Sequence, residues 1–130
     1  MPEFEELRGR FTALEEAYEF FLAYAAQGLS SDSGSKSGGQ LREFLASAAA
    51  AVESVSDDLL AMIDDGMLEP PDAWYALAEV VARDERAAGA AIRLVLSRPS
   101  VSSQLVDNLN ANIHLRALLT DFFLIDELLG

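Results

Sequence analysis

The chain has no cysteine, one histidine, one lysine and one tryptophan in 130 residues. The missing cysteine excludes disulfides, thiolate chemistry and cysteine-ligated zinc together. The lone His114, with Ala111 three residues before it, leaves the paired Glu-x-x-His motifs of a ferritin-like di-metal bundle without their ligands. No uncharged apolar run is long enough to span a bilayer, and no basic segment leads into a short apolar one. Neither a membrane span nor a signal peptide is expected, and the chain reads as cytoplasmic.

Positive charge is scarce as well. Nine bases stand against 22 acids for a net charge of −13, and Lys36 is the only base that is not arginine. Such a balance repels nucleic acid and anionic membrane, so neither is expected as a partner. The acidity fits an ordinary solvated surface, a high-salt habitat, or a decoy or chaperone for a basic partner. Gly34-Ser35-Lys36-Ser37 has the flavour of a phosphate loop, but Ser35 stands where G-K-[ST] needs glycine and no strand precedes it. A nucleotide site is not expected there.

What the chain does have is apolar residues, 51% of the total, in helical rhythm. One domain is expected, an all-α up-down-up-down four-helix bundle with helices over about 3–27, 40–64, 71–97 and 101–129. In the first helix, Phe4, Leu7, Phe11, Leu14, Tyr18, Phe21 and Ala25 form a seam, and Phe20 and Tyr24 form an aromatic pair on a separate face. The Gly/Ser-rich stretch 28–39 reads as a flexible loop. Leu41, Leu45, Ala48, Val52, Val55, Leu59 and Met62 line the second helix, which Gly66 stops in a left-handed turn. Pro70-Pro71-Asp72 opens the third, whose inward residues are Trp74, Leu77, Val81, Ala88, Ile92 and Leu96. A hairpin turning near Leu68 would oppose residues whose numbers sum to about 136. That register sets small residues against each other and places Glu53 by Arg83 and Glu43 by Arg93.

The fourth helix, capped by Ser100, has more apolar surface than one face can use. Leu105, Val106, Leu109 and Ile113 are expected to face the bundle. Leu115, Leu118, Phe122, Ile125 and Leu129 then form an opposite face, read as a homodimer interface. Burying such side chains yields about 1.5–3 kcal/mol each before the costs of association. Among the polar candidates, Asn112 and Arg116 continue a strip from Asn108 that flanks the core stripe and can fix register or cap a polar pocket for a small ligand. His114, on the opposite side, reads as a surface or interface residue. No catalytic residues, cofactor or metal ligands are expected, since His114 has no nucleophile or carboxylate one turn away. The leading reading is a non-enzymatic interaction or assembly module that self-associates. The alternatives are a ferritin-like or carrier bundle holding a metal or small apolar ligand, and the acidic decoy.

Overall fold

The computed structural model describes residues 2–129. Among them helix is the only regular structure, in six segments: α1 (Pro2–Ala26), α2 (Lys36–Ala51), α3 (Val55–Asp64), α4 (Pro71–Leu96), α5 (Ser103–Ala111) and α6 (Ile113–Leu129). The count differs from the expected four because the second and fourth helices are each broken once. Both unbroken helices, α1 and α4, pack against both broken rods, α2–α3 and α5–α6. None of the helices is long and apolar enough to cross a membrane.

The α1 seam holds for its first half and then drifts. Leu7, Phe11 and Leu14 are buried, after which Ala17, Phe21 and Tyr24 go inside while Tyr18 and Ala25 are only half-buried. A straight helix has 3.6 residues per turn, so a strict 3.5 repeat slips by about 20° per heptad. Tyr24 thereby enters the core, and Phe20 stacks on Phe44 of α2 with ring centres 4.5 Å apart. The aromatic pair is thus used within the chain.

All seven stripe residues of the second rod are buried, and so are Ala88 and Gly89 on α4. The two rods pack antiparallel on small residues, but about one turn out of the expected register. Tyr75 donates to Asp64, Ser56 to Glu85, and Arg42 to the Leu96 carbonyl. Glu53–Arg83 and Glu43–Arg93 do not occur among the ion pairs of the described residues. Exposed pairs of that kind carry little energy, so packing of the small residues sets the register instead.

The first break falls at Val52–Ser54, where Ser54 turns left-handed (φ 58°) without using its side chain as a cap. Two charged side chains from neighbouring helices serve the exposed ends. Arg10 of α1 donates to the carbonyls of Glu53 (2.7 Å) and Ala50 (3.4 Å) at the end of α2. Glu85 of α4 accepts from the Val55 amide (2.9 Å) and from the Ser56 amide and hydroxyl at the start of α3. A cation thus meets the carbonyl end of one helix dipole and an anion the amide end of the next. Arg10 Nε also lies 3.3 Å from Asp58 Oδ2. The two atoms are misaligned for a hydrogen bond, so this contact is an ion pair only. Burial outweighs the arginine and raises the Asp58 pKa, with Glu6 and Asp57 adding to the rise.

The second break is a single residue. Asn112 leaves the helix with ψ 125°, and its Oδ1 accepts from the amides of His114 (2.9 Å) and Leu115 (3.3 Å). It therefore ends α5 and caps α6 by itself. Upstream, Ser102 rather than Ser100 caps α5, accepting from the Leu105 amide.

The segment expected to be a flexible 28–39 loop is shorter and anchored. Ser35 caps α2, which starts at Lys36. Asp32 accepts from Arg42 Nε (2.8 Å) and from the Val101 amide (2.7 Å), and Arg42 also donates to the carbonyls of Leu96 and Arg98. Tyr24 donates to the Val101 carbonyl, while Ser103 exchanges hydrogen bonds with Leu29 and donates to the Tyr24 carbonyl. A Cβ on Gly38 would sit 1.8 Å from the Asp32 carbonyl oxygen, so only glycine lets the loop lie this close. The Arg42 hydrogen bond holds the Asp32 pKa below the usual carboxylate value.

Candidate functional site

The break at Asn112 decides which side of α6 faces the core. Val106 and Leu109 of α5 are buried. A helix continued straight through Asn112 would carry that inward face on to Ile113, Ala117, Thr120 and Leu124. One extended residue changes the phase, and the face led by Leu115 turns inward instead. Leu115, Leu118, Phe122 and Ile125 are completely buried in the chain's own core, where Phe122 stacks on Phe11 at 4.3 Å. Leu129 is half-buried against the same core. The expected interface residues are therefore corrected: their face is already filled from within the chain.

The opposite face is left in water. Ile113 is 71% exposed, Leu124 52%, Leu128 60% and Phe123 51%. At 100° per residue, Ile113, Ala117, Thr120, Leu124 and Leu128 make one stripe, with Arg116, Phe123 and Glu127 along its α1 side. Two clefts flank the helix. One, of about 190 Å3, lies towards α1 beside Phe123 and the Arg8–Asp126 ion pair. The other, of about 260 Å3, lies towards α4 and is lined by Pro70, Ala73, Trp74, Leu77 and Leu128. Contiguous exposed apolar surface bordered by polar groups is the usual mark of an interaction site.

No protein-family model, curated protein or solved structure matches this chain.

The three polar candidates separate. Asn112 is the structural cap just described, while His114 and Arg116 are exposed on the first turns of α6. The structure does not gather them into a pocket. Asp121, also on α6, faces Asp84 of α4; burial, then a hydrogen bond and repulsion from Asp84, push its pKa up to about 7. Asp121 Oδ2 is buried without a hydrogen-bond donor in reach, which disfavours its charged form beside a second carboxyl. Among the described residues no group of three or more acids or histidines gathers as a metal site. A cavity of about 500 Å3 is a surface groove between the end of α1 and the start of α5, lined partly by Leu22, Leu29, Gln104 and Asp107.

Sequence reasoning missed Glu85 and the true outer face of α6. Glu85 had a visible signal, standing four residues after Val81 and three before Ala88 on the apolar stripe of α4. An acid in a core position calls for buried donors. The α6 face had one too, since asparagine is among the best helix caps and Asn112 stands three residues before Leu115. Arg10, Asp32 and Arg42 carried no comparable signal.

Proposed function

We propose that this protein is a non-enzymatic helical interaction or assembly module that docks, and self-associates, through the outer face of α6. The supporting observation is the unpartnered stripe of Ile113, Leu124 and Leu128, with Phe123 beside it, on a helix whose other side is buried. In this reading the chain is a cytoplasmic homodimer whose two unbroken and two broken rods make a four-rod bundle. Leaving such side chains in water forgoes about 1.5–3 kcal/mol each, enough for association once its entropic cost is met. Sedimentation of the wild type and of a Leu124→Asp/Leu128→Asp variant at micromolar concentration tests this. Both positions are exposed, so the variant should keep its helix content and melting temperature while dissociating to monomer. A wild type that is monomeric throughout, or a dimer indifferent to both substitutions, would refute the reading.

The charge of −13 favours one further reading, a docking partner that is itself basic. Its signature is capture that weakens steeply with salt, whereas docking on the apolar stripe is nearly salt-independent. The carrier alternative has less behind it, since the cavities described are surface grooves and the central side chains are closely packed.

A further inference from the structure

We propose that the occupant of the α6 outer face is a second copy of this chain, docked antiparallel about a two-fold axis near Thr120. This rests on the docking reading above and adds the partner and its geometry. The charge on α6 points to it first. A helix prefers acids in its first turn and bases in its last, yet α6 has no acid in its first turn and no base in its last. Instead His114 and Arg116 stand near its start, and Asp126 and Glu127 near its end. Within the chain this order works against the dipole. Neither Arg116 nor Glu127 belongs to an ion pair among the described residues.

A parallel second helix would set Arg116 beside another arginine and Glu127 beside another glutamate. An antiparallel one brings Arg116 to the partner's Glu127, and the symmetry makes that pair twice. Each arginine then also lies near the carbonyl end of the facing helix, where a cation is favoured. For a chain of net charge −13, such local matching offsets part of the repulsion between copies.

Shape agrees with charge. With the axis near Thr120, Leu124 meets the partner's Ala117, and Ile113 meets the partner's Leu128. The small side chains Ala117 and Thr120 leave room for Leu124. Ile113, the most exposed of the large apolar residues among those described, arrives beside the cleft of about 260 Å3 that Leu128 and Trp74 border, so each copy inserts an isoleucine into the other.

The absence of cysteine makes single-cysteine variants clean probes. A disulfide needs Cα atoms within about 7 Å. Under mild oxidation Thr120→Cys should cross-link with itself at high yield. Ile113→Cys should not, because two copies of that position lie on the order of 20 Å apart along an antiparallel pair at 1.5 Å per residue. Mixing Ile113→Cys with Leu128→Cys should give the mixed dimer. Arg116→Glu and Glu127→Arg should each weaken the dimer about tenfold or more, and the double variant should recover most of the loss. A dimer that Leu124→Asp/Leu128→Asp dissociates, but that cross-links at Ile113 with itself and not at Thr120, would overturn the antiparallel geometry and leave the docking face intact. Single charge reversals without effect, or a double variant without recovery, would also overturn it. A monomeric wild type would remove both readings.

Discussion

The two broken rods are interrupted by different means. The α2–α3 break is held from outside, by Arg10 of α1 on the last carbonyls of α2 and Glu85 of α4 on the first amides of α3. The α5–α6 break is held from within, by one side chain, Asn112, capping the helix that follows it. Around the first break opposite charges meet opposite helix ends. Along the second rod Asp126 pairs with Arg8, but Arg116 belongs to no ion pair among the described residues and Asp121 faces another acid. The α2–α3 rod has its apolar stripe buried throughout, whereas α6 keeps an apolar face in water. Unmet electrostatics and unmet apolar surface thus coincide on one helix, which is where a partner would satisfy both.

The contrast is most exposed to failure at Glu85. Replacing it with alanine leaves the Val55 and Ser56 amides without their acceptor in a buried setting, at about 1–3 kcal/mol for each stranded group. Glu85→Ala should lower the unfolding free energy by about 3 kcal/mol in urea titration. Glu85→Gln keeps one acceptor oxygen and should lose roughly half as much. A loss below about 1 kcal/mol for the alanine variant would mean that the break is not held by tertiary contacts, and the difference between the rods would vanish.

The same contrast explains what was legible in the sequence. The all-helical class, the stripe Leu41–Met62 and the turn at Gly66 follow from local periodicity and turn chemistry, and the structure has them all. The first break did not show, because the stripe keeps its rhythm across it and the residues that hold it are 40 or so positions away in α1 and about 30 away in α4. The stretch 28–39 read as a flexible loop for a similar reason. Its serines and glycines give no pattern, and its anchors, Arg42 and Val101, lie elsewhere in the chain. The second break is local and could be read, but treating 101–129 as one helix carried the phase past Asn112 and exchanged the buried face for the exposed one. That apolar surface exceeds one face was legible; which face is left over depended on a single residue.

Asn112 therefore gives the second way to probe the comparison. Loss of a helix cap costs typically about 1 kcal/mol, so Asn112→Ala should destabilise the protein by about that much, less than Glu85→Ala. Asn112→Asp keeps an acceptor and adds a negative charge at the start of α6, and should be neutral or slightly stabilising. Hydrogen exchange supplies the sharper readout, since the cap accepts from the His114 and Leu115 amides. Those two should lose protection in Asn112→Ala and keep it in Asn112→Asp. Equal losses in both variants would show that this break, too, is held by its surroundings.

The smallest effect concerns the acids, and its sign depends on pH. Asp121 has a folded pKa pushed up to about 7, against about 3.9 for an unperturbed aspartate. Between those values the folded state holds more protons than the unfolded one, so the Asp84–Asp121 contact contributes stability that is full below about pH 4 and lost as pH rises through about 7. Asp32 works the other way. Its lowered pKa gives stability that is present above the unfolded value and lost as pH falls. The two trends overlap in the wild type, and the difference between variant and wild type isolates one of them. Asp121→Asn should therefore gain on the wild type steadily from pH 4 to 7 and hold a constant lead above that, whereas Asp32→Asn should fall behind over a lower window. Solvent screening at a partly exposed site keeps the Asp121 effect modest. A stability difference for Asp121→Asn that is flat from pH 4 to 8 would mean that the fold does not hold Asp121 protonated, and that this acid is no strain on the second rod.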